Sequence, residues 1–98
     1  MNIQALMKQA QSIQKDMMKA KEEIDNTTFT GENGFVKVEV KGTKEVVKVE
    51  IDNSELSNDD IEMLQDMIVI AINDAFKKVD KMTESKLGKF NNAMPGMF

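Results

Sequence analysis

The sequence predicts an α+β fold: a long N-terminal helix, a three-stranded antiparallel β-meander, and a long C-terminal helix, whole or broken. Three observations carry that reading. Apolar residues recur at intervals of three and four at the start of the chain, alternate with polar residues in the middle, and return to helical spacing afterwards.

The first helix rests on Ile3, Leu6, Ala10, Ile13, Met17, Ala20 and Ile24, which form one seam along a helical surface. Asn2 is placed to cap its start, and Asp25-Asn26 followed by Thr27-Thr28 marks its end. The near-heptad spacing suits either contact with another helix, within or between chains, or an ordinary surface helix lying on its own core.

Thr27–Gly31 reads as a first, weaker strand, and Glu32-Asn33-Gly34 as a tight turn. In Phe35–Lys41 the residues Val36, Val38 and Val40 alternate with Lys37, Glu39 and Lys41, the pattern of a half-buried strand. Gly42-Thr43-Lys44 is the next turn, and Val47, Val49 and Ile51 alternate with Lys48 and Glu50 in the third strand. One face of this meander is left to solvent.

Ser57 or Asn58 is positioned to cap the second helix, with Asp59, Asp60 and Glu62 where the helix dipole favours negative charge. The acidic cluster lacks the central glycine and alternating oxygens of a calcium loop. Ile61, Leu64, Ile68, Ala71, Ala75, Val79 and Met82 keep helical spacing, and Gly88 is a candidate C-cap. Met67 to Ile72 is an unbroken apolar run that covers the whole circumference of a helix. A chain this small has one sheet and one other helix to bury it, so a second subunit is expected against Met67, Ile68, Val69, Ile70 and Ile72. Residues 1–90 are expected to form a single domain and 91–98 a C-terminal tail.

With 41% hydrophobic and 31% charged residues, the chain has the composition of a soluble folded domain. The absence of Cys excludes a disulfide framework and thiolate metal sites, and no apolar run approaches the roughly 20 residues that span a bilayer. A cytoplasmic setting without membrane contact is expected. His, Cys, Tyr and Trp are all missing, which removes most nucleophiles and proton-transfer groups, so an enzyme is not expected and neither is a cofactor or metal.

The net charge of −4 is unevenly distributed. Residues 57–74 hold five acids and no Lys, whereas 75–98 hold five Lys against two acids. Lys77, Lys78, Lys81, Lys86 and Lys89 thus concentrate near the end of the second helix, and Lys8 and Lys15 stand opposite the apolar seam of the first. All thirteen cations are Lys. Without Arg, contacts to a nucleic acid would fall mostly on its backbone and carry little sequence information.

Four blocks in order, Met1-Asn2-Ile3-Gln4-Ala5-Leu6-Met7-Lys8-Gln9-Ala10-Gln11, Gly34-Phe35-Val36-Lys37-Val38-Glu39-Val40-Lys41-Gly42, Val47-Lys48-Val49-Glu50-Ile51-Asp52 and Met94-Pro95-Gly96-Met97-Phe98, resemble the YbaB/EbfC nucleoid-associated proteins. The resemblance covers essentially the whole chain. It implies a bacterial homodimer of the cytoplasm and nucleoid, shaped like tweezers, whose protruding helices grip double-stranded DNA and organise the nucleoid or regulate expression. It implies no cofactor and no catalysis. Mapped onto this chain, the DNA contacts are expected at Lys8 and Lys15 and at Lys77, Lys78, Lys81, Lys86 and Lys89. The alternative is an adaptor for replication or recombination proteins that uses Met-rich surfaces and the apolar tail.

Overall fold

The computed structural model describes residues 2–53 and 55–90. Helix α1 spans Ile3–Asp25, strands β1, β2 and β3 span Thr28–Asn33, Val36–Lys41 and Val46–Ile51, and helix α2 spans Ile61–Leu87. Short 3-10 turns flank α2 at Asn58–Asp60 and Gly88–Phe90. The expected tail, residues 91–98, lies outside the described residues.

Helix α1 begins where Asn2 predicts. Its Oδ1 accepts from the backbone N–H groups of Gln4 and Ala5 at 3.0 and 3.4 Å, satisfying two donors that have no intrahelical partner. At the far end the Thr27 hydroxyl donates to the Glu23 carbonyl, and the chain turns into the sheet.

The meander has the order β1-β2-β3, all antiparallel. β1 runs two residues further than its composition suggests, through Glu32 and Asn33, because both pair with β2 at Lys37 and Val36. The hairpin loop shrinks to Gly34-Phe35. In the second hairpin the positive φ, 68°, falls on Lys44, the last residue of a three-residue loop closed between Lys41 and Glu45. β3 then carries a bulge: Glu39 pairs with Lys48 but Val40 with Val46, leaving Val47 as the extra residue. The simple alternation Val47, Val49, Ile51 is therefore broken at its first member.

Asp60 anchors the start of α2, its carboxylate accepting from the backbone N–H of Ser57 at 3.0 Å. Gly88 occupies the C-cap position, but with φ −57° it stays right-handed. The α-helix ends there, and the chain continues into a 3-10 turn, which returns Phe90 to the core.

Two apolar clusters follow. In the first, Val36, Val38 and Val40 from the inner face of β2 meet Ala71, Ala75 and Val79 of α2, with Phe29, Leu64, Met67, Ile68, Ile72 and Phe76 half-buried around them. The helix lies almost on the backbone of β1. A Cβ added at Gly31 would sit 2.0 Å from the Ala71 carbonyl oxygen and 2.6 Å from the Ala75 nitrogen, so glycine and the two alanines together set the spacing. In the second cluster Met17 and Ile24 of α1 pack on Leu87 and Phe90, with Ile13, Ala20 and Met82 at the margin. The seam of α1 is thus an intramolecular helix contact along its C-terminal half. Its N-terminal half is not: every residue from Asn2 to Ser12 is exposed, including Ile3 and Leu6. The chain measures 71 × 19 × 14 Å with a radius of gyration of 19.4 Å, against about 13 Å for a compact domain of this length.

Candidate nucleic-acid interface

Because the seam of α1 is held only from Ile13 onward, the preceding 2–12 stretch projects as a bare helix, about 16 Å long at 1.5 Å per residue. Its charge is one-sided. The chain contains no Asp or Glu before Asp16, so Lys8 stands on an acid-free stretch of the helix and Lys15 at its end. Both are exposed, and among the described residues neither forms an ion pair. That signal is present in the sequence as the absence of any acid before Asp16.

The other five predicted lysines do not form one surface. Lys78 is committed to the sheet: its Nζ donates to the Thr30 carbonyl on the outer edge of β1 and lies 3.7 Å from Asp74. Asp74 in turn accepts from the Glu32 N–H, so the Asp74/Lys78 pair satisfies both polarities of that free edge and closes it to further strand pairing. Lys86 reaches back to Glu23 at 2.8 Å and ties α2 to α1. The bond from Lys86 holds the Glu23 carboxyl below its ordinary range. Lys89 lies over the Phe90 ring at 5.2 Å. Lys77 and Lys81 remain exposed one turn apart on the outer side of α2, yet Lys77 shares a shallow groove with Glu32 and Asp74. Carboxylates so placed oppose a phosphate. The geometry thus separates Lys8, uncommitted on the acid-free 2–12 stretch, and Lys15, unpaired but sharing a groove with Glu22 and Asp25, from Lys78 and Lys86, which hold the fold.

The apolar run Met67–Ile72 is divided as well. Ala71 is buried, Met67, Ile68 and Ile72 are half-buried against the chain's own sheet, and Val69 and Ile70 are 57% and 51% exposed. Val69 and Ile70 sit 100° apart and turn to opposite flanks of α2. Ile70 joins the β1 side, beside Glu32 and Asp74. The other flank, with Phe76 and Asp80, faces Lys44 of the β2–β3 turn, which pairs with Asp80 at 2.9 Å. On that side α2 stops short: it packs on β1 and β2 and leaves β3 uncovered. Val49 and Ile51 pair across the strands with the buried Val38 and Val36, yet are 43% and 42% exposed. Val46 and Val47 are similarly open. This apolar strip beside the Val69 flank was missed in the sequence, where the alternation of β3 looked like that of any half-buried strand.

Among the described residues no helix is long and apolar enough to cross a membrane, and no cluster of three potential metal-ligating side chains occurs.

A meander clasped by one helix, with a second helix projecting from its end, defines a class of small α+β proteins already represented among solved structures. A crystal structure of an uncharacterised protein from Helicobacter pylori shares the fold at a TM-score of 0.71 and 28% identity, the match covering 95% of this chain and 98% of that one. The chain belongs to the YbaB/EbfC DNA-binding family, whose family model matches residues 1–94. Among its relatives, a nucleoid-associated protein of Lactococcus lactis subsp. cremoris is 44% identical over 97 residues, 97% of this chain and 98% of the relative. Another nucleoid-associated protein, from Ligilactobacillus salivarius, is 37% identical over 99% of this chain and 95% of its own length.

Proposed function

We propose that this protein is a nucleoid-associated homodimer that binds double-stranded DNA with little sequence specificity and has no catalytic role. The observation that carries the reading, beyond family membership, is the projecting acid-free end of α1 with Lys8 unpaired on it and Lys15 unpaired just behind it. A net charge of −4 repels DNA at a distance, so contact must be confined to a local cationic surface held away from the acids of α2. A projecting helix does this. Lys77, Lys81 and Lys89 are secondary contacts on this reading, and the protein works in the cytoplasm, on the nucleoid.

Dimerisation supplies the second arm. What supports it is the surplus of apolar surface: Val46, Val47, Val49 and Ile51 on the open strand, with Val69 on the adjoining flank of α2. Such a strip on a small chain matches a two-fold contact in which the same patch serves both partners. The interface expected at Met67, Ile68, Val69, Ile70 and Ile72 is accordingly redrawn around β3 and Val69, with Met67, Ile68 and Ile72 behind it. Residues 1–90 act as one unit in this scheme.

The test is retention of duplex DNA by the purified protein across a salt series. Binding at low salt that weakens steeply as salt rises is the expected result, since phosphate contacts release counterions. No binding at low salt, or binding indifferent to salt, overturns the proposal.

A further inference from the structure

We propose that the limited sequence dependence left to this duplex binder is a preference for A·T pairs, read in the major groove by the carboxamides of Gln4 and Gln11. This inference rests on the duplex-binding reading above and adds to it the base edge that is recognised.

The placement comes first. Gln4, Lys8, Gln11 and Lys15 are all exposed. At 100° per residue they fall within roughly 60° of one another, on the side of α1 opposite the seam of Ile3, Leu6 and Ala10. Gln4 and Gln11 make one row along the axis and Lys8 and Lys15 the row beside it. Each row spans seven residues, about 10.5 Å, close to three base-pair steps of about 3.4 Å. The projecting end carries no other element against it, so it is a single unobstructed α-helix, the object that a major groove about 12 Å wide admits.

The chemistry then divides the rows. A lysine ammonium on its long stem is a point charge suited to phosphate. A glutamine carboxamide presents an acceptor and donors side by side, which matches the N6 amino group and N7 of adenine. Guanine shows two acceptors, O6 and N7, at the same edge, and the carboxamide oxygen would face one of them. The glutamines are also uncommitted: among the described residues the one bond recorded for Gln4 outside the helix ladder is from its backbone N–H to Asn2, and Gln11 has no such bond. Any carboxylate on this face would repel the phosphates on either side; the first on it is Glu22, two turns beyond Lys15, so the reading end of the face is the segment from Gln4 to Gln11.

The experiment compares full-length protein on three short duplexes of equal length: one rich in A·T, the same one with 7-deazaadenine in place of adenine, and one of G·C pairs. Replacing N7 by carbon removes one major-groove acceptor and leaves the phosphate charge and base pairing in place. Wild type should bind the adenine duplex about tenfold tighter than the 7-deazaadenine duplex, the scale of a bidentate base contact. The Gln4→Ala/Gln11→Ala variant should bind all three alike with an unchanged salt slope. Its helix content, checked by circular dichroism, should hold because both side chains are exposed and alanine favours helix. Equal binding of the adenine and 7-deazaadenine duplexes by wild type overturns the inference, as does a variant that keeps the preference. In either case salt-dependent binding would leave the duplex reading standing. Failure to bind any duplex at low salt overturns both.

Discussion

Removing Lys8 and removing Lys78 should have opposite kinds of consequence, although both are exposed lysines of a candidate DNA-binding surface. Lys8 has no carboxylate partner among the described residues and stands on the acid-free first turns of α1. Lys78 donates to the Thr30 carbonyl and lies beside Asp74. Each phosphate contact contributes about 0.9 to the slope of log affinity against log salt. In a homodimer Lys8→Ala deletes two contacts, so the slope should become shallower by roughly 1.8, and affinity at 0.1 M salt should fall roughly 50-fold. Lys78→Met should leave the slope where it was. Its effect belongs to the fold, because the β1 edge carbonyl loses its donor and Asp74 its neighbour, about 1 kcal/mol of stability for a solvent-exposed arrangement. Fluorescence anisotropy of a labelled duplex at several salt concentrations measures the first quantity and thermal denaturation the second. A Lys8→Ala protein with the wild-type slope, or a Lys78→Met protein with a flattened one, refutes the division between contact and scaffold lysines.

Three further perturbations probe the scaffold. Gly31→Ala places a methyl 2.0 Å from the Ala71 carbonyl oxygen, so α2 must lift from β1; a loss of about 3 kcal/mol and a melting point lower by about 12 °C or more are expected. A melting point within about 3 °C of wild type would show that the contact relaxes freely. Val49→Asp puts a charge on the uncovered strip opposite Val38 and should convert dimer to monomer in sedimentation velocity without loss of helix signal; a surviving dimer locates the contact elsewhere. The Glu23 carboxyl is held below its ordinary value of 4.5 by the bond from Lys86. A lowered carboxyl pKa adds stability that is fully present above the unfolded value and lost as pH falls through the folded one. Wild type should therefore melt above Glu23→Gln near neutral pH, and the gap should close below pH 4.5; a gap that persists in acid means that charge is not its source.

Much of this architecture is legible in the sequence because it follows local rules. The three-four spacing of α1, its Asn2 cap, the alternation of β2 and the acidic start of α2 each act over a few residues, and each element appears where its pattern lies. The ends are less legible. β1 extends through Glu32 and Asn33 because β2 pairs with them, and the 3-10 turn after the Gly88 cap places Phe90 against Met17 and Leu87, a contact no local pattern announces. The bulge at Val47 is likewise decided by a partner strand.

The candidate site was legible in its residue types but not in their commitments. Five lysines clustered in sequence near the end of α2 look like the basic patch, and charge counting favours them over Lys8 and Lys15 on α1. Their bonds decide otherwise. A lysine that supplies a strand edge with its missing donor, as Lys78 does, loses that bond if it turns toward a phosphate. The cost of binding through it therefore includes reopening the β1 edge. Lys86 would likewise have to release Glu23 and loosen α1, the helix that carries the arm. Lys8 and Lys15 have nothing to release. In an acidic protein that binds DNA by charge, the effective cations are those whose transfer to phosphate disturbs no other contact. By that criterion the arm outranks the denser patch.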